Sequence, residues 1–269
     1  MKQKLAVIGG GKMGSAIVRG LISDGFLNST DICIVERDEQ RRQVLATHLG
    51  SGVLLAATVP PADFYLLATK PQDVAQAVKA VVEVNEEGIL ISIAAGVTLD
   101  TLHRFASPAS ICIRVMPNSP ATIGQGLSAI CCDDNTPQSV LEFVSHLFNA
   151  VGDVIFIDES KMNLITAVSG SGPAYIYLFA EALEDATVAL GLSHEMAKRI
   201  VQKTFVGASQ MYAIDEEDLR TLRRNVTSPG GTTAAGTMEL ERYALRRAVF
   251  DAVEAASKRA DEVGSSENH

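Results

Sequence analysis

Between residues 4 and 23 the chain runs apolar strand, glycine turn, helix, and few folds accommodate that order. Lys4-Leu5-Ala6-Val7-Ile8 is a short apolar run ending in glycine, and it reads as a buried strand. Gly9-Gly10-Gly11-Lys12-Met13-Gly14 follows, with the G-x-G-x-x-G glycines at 9, 11 and 14, and Ser15–Ser23 reads as helix. In that context each glycine has a task. Gly9 permits the tight turn, Gly11 lets backbone approach a pyrophosphate, and Gly14 lets helix and strand pack closely. The helix N-terminus then faces the phosphates. The pattern points to a bound dinucleotide.

Asp31–Glu36 reads as the second strand. An acid at its end, Glu36, suits the ribose hydroxyls of NAD, whereas the adjacent Arg37 suits the 2′-phosphate of NADP; the two residues leave the nucleotide open. Further strands are expected at Phe64–Ala68, Ile89–Ile93 and Ile111–Val115, with helices at Asp73–Val82 and Leu99–Phe105. This alternation implies an α/β Rossmann domain with a doubly wound, mainly parallel sheet. Leu127–Cys131 and Val154–Ile157 flank a helix at about 137–148 and would extend the sheet. Ligands of such sheets bind beyond the carboxyl ends of the strands. Three turns fall there: Thr69-Lys70-Pro71-Gln72, Ala94-Ala95-Gly96 and Met116-Pro117-Asn118-Ser119-Pro120. Lys70 is either a surface charge or a ribose contact. Pro71 suits a first helical position. Ala94 and Ala95 are small enough for a nicotinamide to lie against backbone.

After Asp158 no further strand is expected. Gly172-Pro173 opens a helix to about Leu190, and Gly191 stops it. Ser193 can cap the next helix, which runs to about Tyr212. Asp215 with Asp218 resembles an acidic capping box for a short helix ending at Arg224. One long helix is expected from Thr233 to Val263, with Gly264–His269 a frayed tail. The expected division is a nucleotide-binding domain at 1–160 and an all-α domain at 161–269. Ala-rich helical faces at 180–189 and 248–260 suit close packing, and a small helical domain so apolar is expected to self-associate. Before the last helix lies Asn225-Val226-Thr227-Ser228-Pro229-Gly230-Gly231-Thr232-Thr233. This turn brings hydroxyls and N–H groups to a helix N-terminus. On local features it reads first as an ordinary cap, since Ser and Thr are common N-caps, and second as a seat for a small carboxylate.

Composition excludes other classes. Of 269 residues 47% are apolar, so a sizeable core is available. A formal charge of −9 with no basic cluster argues against nucleic acid. The longest nearly uncharged apolar run, Gly88–Val97, is too short to span a bilayer, and no signal peptide is expected. Cys33, Cys112, Cys131 and Cys132 form no Cys-x-x-Cys and read as reduced thiols of a cytoplasmic protein. The five histidines are scattered, and no metal site is expected.

The chain resembles the pyrroline-5-carboxylate reductase family over nearly its whole length. The resemblance rests on residues 8–14, Lys70-Pro71, Ser92–Val97, Met116–Ala121, Ser169-Gly170-Ser171-Gly172-Pro173-Ala174-Tyr175 and Val226–Thr233. It implies a Rossmann domain followed by a helical dimerisation domain, and hydride transfer from NAD(P)H to the C=N bond of 1-pyrroline-5-carboxylate. It also implies a substrate seated between cofactor and helical domain, in sites often completed by a partner subunit. Carried across, Ser228, Gly230, Gly231, Thr232 and Thr233 would hold the substrate carboxylate, with Thr233 near the ring nitrogen. Ile8, Gly9, Gly10, Gly11, Lys12, Met13, Gly14, Ala68, Thr69, Lys70, Pro71, Ile93, Ala94, Ala95 and Asn118 would hold the cofactor. Asn225 and Glu159 match a cofactor and a substrate contact position. Family members favour NADPH; Glu36 suggests that NADH is used as well.

The absence of a histidine from these motifs agrees with imine chemistry. A basic imine nitrogen can be protonated before hydride arrives, so orientation and exclusion of water matter more than a strong acid. Two rivals remain: a related imine or β-hydroxyacid dehydrogenase, and a non-catalytic nucleotide-binding regulator. The hydroxyacid enzymes place a catalytic Lys on the first long interdomain helix, and Ala174–Ala189 has neither Lys nor Arg. A regulator has no need of the 225–233 turn.

Overall fold

The structure, a computed structural model, describes residues 2–50, 52–214 and 216–266. The chain folds as two compact units, Met1–Ser171 with Ala255–His269, and Gly172–Glu254. The division expected at 160/161 follows the end of the last strand. The segment after that strand instead stays with the sheet, where Met162 and Ala167 are fully buried.

Unit 1 is built on one eight-stranded sheet among the described residues, in the order β3-β2-β1-β4-β5-β6-β7-β8. The strands are β1 Gln3–Ile8, β2 Ile32–Val35, β3 Leu54–Ala56, β4 Ala62–Leu67, β5 Ile89–Ser92, β6 Ile111–Met116, β7 Gly126–Cys132 and β8 Gly152–Phe156. All neighbours are parallel except β6 and β7, which pair antiparallel with Met116 opposite Ala129. The helices are α1 Lys12–Asp24, α2 Glu39–Leu49, α3 Val74–Val82, α4 Leu99–Phe105 and α5 Gln138–Asn149.

Period-2 alternation sends the strand residues to two cores. Leu5 and Val7 of β1 join Ile17, Val18 and Leu21 of α1 and Val144, Leu147 and Phe148 of α5. Ala6 and Ile8 join Val74, Val78 and Val81 of α3 and Leu99 and Leu102 of α4. Each large apolar side chain among them contributes about 1.5–3 kcal/mol on burial. The two cores hold the sheet rigid beneath the turns at its carboxyl edge.

α2 and β3 have no counterpart in the sequence expectations. Within α2 only Leu45 is buried. β3 is three residues long, with Leu54 exposed. Neither carries the apolar period that marks an element.

A short helix α6, Met162–Ile165, leads into a π-turn at Thr166–Gly170, closed by Ser171 N–H donating to the Thr166 carbonyl at 2.9 Å. Unit 2 contains α7 Gly172–Ala189, α8 His194–Ile214, α9 Leu219–Asn225 and α10 Thr232–Arg242; α11 spans Leu245–Ser266. Gly191 ends α7 with φ at 110°, as expected of a glycine stop. The Ser193 hydroxyl accepts from Met196 N–H at 3.3 Å. Asp218 caps α9 through Thr221 N–H at 2.8 Å, and Asp215, the other half of the expected capping box, lies outside the described residues.

The single last helix expected from Thr233 to Val263 is two helices. The chain breaks at Ala244, whose φ is 55°, and neither Gly nor Pro signals the break. The tail expected from Gly264 is helical as far as Ser266; 267–269 lie outside the described residues.

Candidate active site

Strand order reverses about β1: β2 follows it on one side and β4 on the other. That is the switch point at which doubly wound sheets bind ligands. A cleft of about 520 Å³ opens there. Its walls include Ile8, Gly9, Gly10, Gly11, Glu36, Arg37, Arg41, Ala68, Thr69, Lys70 and Gln76. The sheet ladder sets its floor: Gly9 N–H donates to the Val35 carbonyl and Ala68 N–H to the Ile8 carbonyl, both at 2.9 Å.

Gly9 has φ at 109°, and a Cβ there would lie 2.6 Å from the Ala68 carbonyl oxygen. Gly14 has no room either, since its Cβ would lie 2.6 Å from the Gly9 carbonyl oxygen. Gly11 is different. It is the N-cap of α1, offers no side-chain cap, and a Cβ there would meet nothing within 4 Å. The space beside Gly11 at the N-terminus of α1 is therefore open, which is the condition for a phosphate to approach there. The Thr69 hydroxyl, at the same edge, is buried and has no protein partner. Empty space before uncapped amides and an orphaned hydroxyl both fit a nucleotide.

Glu36 lies just past β2 with its side chain 12% exposed. Its Oε1 accepts from Asp38 N–H at 3.2 Å, and its Oε2 lies 3.6 Å from Arg41 Nε. Arg37 is turned to Gln76, donating to its Oε1 at 3.1 Å. Arg42 donates to the carbonyls of Glu36 and Arg37 at 2.6 and 2.8 Å. The acid is thus held in the cleft wall beside two arginines. Arg41 is a wall residue that the sequence does not signal, because α2, which carries it, is not signalled either.

Lys12 and Met13 form the start of α1, and Pro71 opens the 3₁₀ turn Pro71–Asp73. Ile93, Ala94 and Ala95 follow β5, anchored by Ile93 N–H to the Leu67 carbonyl at 3.1 Å. None of these six is in the wall of the cleft. Asn118, after β6, is engaged within the protein: it donates to the Ser169 hydroxyl and accepts from Leu127 N–H, each at 3.0 Å. The π-turn is what delivers Ser169 there, and it seats Gly170 against Met116. This joins two of the motifs on which the resemblance rested. Glu159 Oε1 accepts from Leu99 N–H at 2.8 Å and from Arg114 Nη1 at 3.0 Å. Glu159 therefore lies in unit 1, on protein partners.

In unit 2, Ser228, Gly230, Gly231, Thr232 and Thr233 lie at the start of α10. Gly231 is the N-cap of α10 and provides no side-chain cap. The first intrahelical bond is Ala235 N–H to the Gly231 carbonyl at 3.1 Å. The amides of Thr232, Thr233 and Ala234 precede it and have no intrahelical acceptor. Gly230, with φ at 69°, makes the bend that exposes them. Asn225, expected at the cofactor, lies in unit 2 and donates to Glu217 Oε2 at 2.7 Å.

The thiols are not candidates for chemistry. Burial pushes Cys33 up to about 11 and Cys112 and Cys131 up to about 12, so they stay protonated at neutral pH. No histidine lines the cleft. Among the described residues no group of three His, Cys, Asp or Glu is placed to hold a metal ion.

Residues 159–263 match a sequence model of pyrroline-5-carboxylate reductase dimerisation, and residues 4–96 match one described as NADP oxidoreductase coenzyme F420-dependent. A pyrroline-5-carboxylate reductase of Arabidopsis thaliana is 36% identical over 266 residues, which cover 98% of this chain and 96% of that one. The chain belongs to the pyrroline-5-carboxylate reductase family. Among solved structures, a pyrroline-5-carboxylate reductase of Coxiella burnetii matches with a TM-score of 0.89 at 32% identity, covering 98% and 99% of the two chains. A pyrroline carboxylate reductase of Plasmodium falciparum with NADP bound matches with a TM-score of 0.85 at 29% identity, covering 97% and 98%. A family dimerisation region agrees with the surface of unit 2. Tyr177, Leu178 and Leu190 of this small unit are 67%, 66% and 89% exposed, and among its described apolar side chains only Ala197 and Val201 are buried. The helices of one chain leave these apolar faces uncovered, as a self-associating region does. Among the described residues no helix is long and apolar enough to cross a membrane.

Proposed function

We propose that this protein reduces the C=N bond of 1-pyrroline-5-carboxylate to give L-proline, the last step of proline synthesis, as a homo-oligomeric cytoplasmic enzyme. One observation carries the reading: full-length similarity to the reductases coincides with two uncapped glycine-led helix starts, one suited to a pyrophosphate and one to a carboxylate. A bound nicotinamide nucleotide, NADPH or NADH, supplies the hydride. The turn Gly9–Gly11 and the N-terminus of α1 hold its phosphates. Glu36 and Arg37 address the adenosine ribose, and Lys70 and Thr69 reach the cofactor beside them. Ala94 and Ala95 leave space for a flat ring. The amides of Thr232 and Thr233, with Ser228, hold the substrate carboxylate. The Thr233 hydroxyl holds the ring nitrogen, which is basic enough to take its proton from solvent. The test is cofactor oxidation with pyrroline-5-carboxylate beside a 2-keto acid control. Turnover of the keto acid alone would overturn the proposal in favour of a hydroxyacid dehydrogenase, and turnover of neither in favour of a regulator.

The placement of Glu36 in the cleft wall supports a specific cofactor profile. NADPH is used, and NADH is used better than is usual for the family. A carboxylate beside a 2′-phosphate costs about 1–3 kcal/mol when partly shielded. Glu36→Gln should therefore shift the ratio of kcat/KM values towards NADPH by roughly five- to 150-fold. A wild-type preference of a thousandfold for NADPH, or no shift in the variant, would remove Glu36 from cofactor selection.

Self-association is expected to persist at micromolar concentration. Light scattering should return a multiple of the 28.6 kDa chain mass. The mass of a single chain would refute it.

A further inference from the structure

Arg114 stands in the middle of β6, opposite Ser92 of β5 and Cys131 of β7, and is 3% exposed. A guanidinium there needs partners. It donates to Glu159 Oε1 at 3.0 Å and to Asn163 Oδ1 at 3.2 Å. Asn163 in turn donates to Asp261 Oδ1 at 2.6 Å. Glu159 does a second thing. Its Oε1 also accepts from Leu99 N–H at 2.8 Å, at the first residue of α4. Leu99 follows the turn that begins at Ala94, two residues past the end of β5 at Ser92.

Buried ion pairs contribute little net stability, because desolvation offsets the attraction. Their better-attested effect is to fix a position. Here one oxygen links a cation rooted in the sheet to the backbone of a turn at its carboxyl edge. The segment that carries Glu159 also carries Ser169, which holds Asn118 in the turn after β6. The connector from Glu159 to Gly170 thus ties down two successive strand-end turns, one at each of its ends.

We propose that Arg114 and Glu159 are positioning residues for the nicotinamide half of the cofactor, setting the turn Ala94–Leu99 through the Glu159–Leu99 hydrogen bond. The proposal rests on the reading of this chain as a nicotinamide-dependent reductase. Neither side chain touches the reacting atoms in this role.

The experiment compares Glu159→Ala with Glu159→Gln. Glutamine keeps an acceptor for Leu99 N–H and loses the charge; alanine loses both. Binding of NADPH to the full-length protein is followed by calorimetric titration, with thermal unfolding as a check on folding. Glu159→Ala should raise the dissociation constant about tenfold, the effect of one lost hydrogen bond to a charged group, while Glu159→Gln stays near wild type. KM for NADPH should rise with it in Glu159→Ala. Arg114→Met should follow Glu159→Ala; if it fails to fold, the Glu159 pair decides. A merely structural role predicts a lowered unfolding temperature with an unchanged dissociation constant, and that result would overturn the proposal. So would equal affinities for the alanine and glutamine variants. The titration needs no imine. A wild-type protein inactive on pyrroline-5-carboxylate but binding NADPH would overturn the substrate assignment and leave this test readable.

Discussion

Gly9→Ala is expected to lose about 2–5 kcal/mol of folding stability, with NADPH affinity falling at least tenfold, because two independent costs meet at one atom. The first is conformational. At a φ of 109° an L side chain is strained, by about 1–3 kcal/mol. The second is steric. The new Cβ would lie 2.6 Å from the Ala68 carbonyl oxygen and 3.0 Å from the Ala68 carbonyl carbon. Neither can yield easily: Ala68 N–H is bonded to the Ile8 carbonyl and Gly9 N–H to the Val35 carbonyl. Relief requires moving the turn, and the Gly9 carbonyl is also what α1 packs on at Gly14. Gly11→Ala is the matched comparison. Its Cβ would meet nothing within 4 Å and its φ is −70°. That variant should fold as wild type yet bind NADPH less tightly, since its methyl stands where a phosphate approaches the helix. Denaturant unfolding and calorimetric titration separate the two effects. A Gly9→Ala protein with wild-type stability would show that the turn is not held as described.

The same residues show why some of the fold is legible in the sequence and some is not. Residues 4–14 are legible because strand period, glycine spacing and helix start agree with one another. The strand-end turns are legible because Pro and Gly mark them. α2 and β3 are not, because they lie at the sheet margin, where Leu45 alone of α2 is buried and no apolar period can form. Arg41 is hidden along with α2. The break at Ala244 carries neither Gly nor Pro, so the two helices read as one. Glu159 and Asn225 match family positions, yet each is held by protein partners that sequence spacing does not encode: Leu99 and Arg114 for the first, Glu217 for the second. Arg114 does leave a signal. A charged residue inside the apolar run Ile111–Met116 requires a buried partner, and asking for that partner leads to Glu159.

The second large effect is expected at Thr233, where helix stability and catalysis should move in opposite directions. Thr233 is the second residue of α10 and is not its cap; Gly231 is. Alanine is the better helix former, by a few tenths of a kcal/mol, so Thr233→Ala should leave stability unchanged or raise it slightly. If the hydroxyl instead served the helix start, the variant should lose about 1 kcal/mol. The catalytic expectation has the opposite sign. Removing a hydrogen bond to the protonated ring nitrogen should lower kcat/KM for the imine by ~1–3 kcal/mol, roughly five- to 150-fold. The affinity for NADPH should not change, because the turn Gly9–Gly11 proposed to hold its phosphates lies in unit 1. Thr233→Ser restores the hydroxyl on a smaller side chain and should recover most of the loss. Steady-state kinetics on the three proteins, with thermal unfolding alongside, tell these roles apart. Wild-type kinetics in Thr233→Ala would remove the residue from the reaction. A fall in activity that tracks a fall in unfolding temperature would return the turn to the ordinary helix cap that its Ser, Thr and Gly residues also suit.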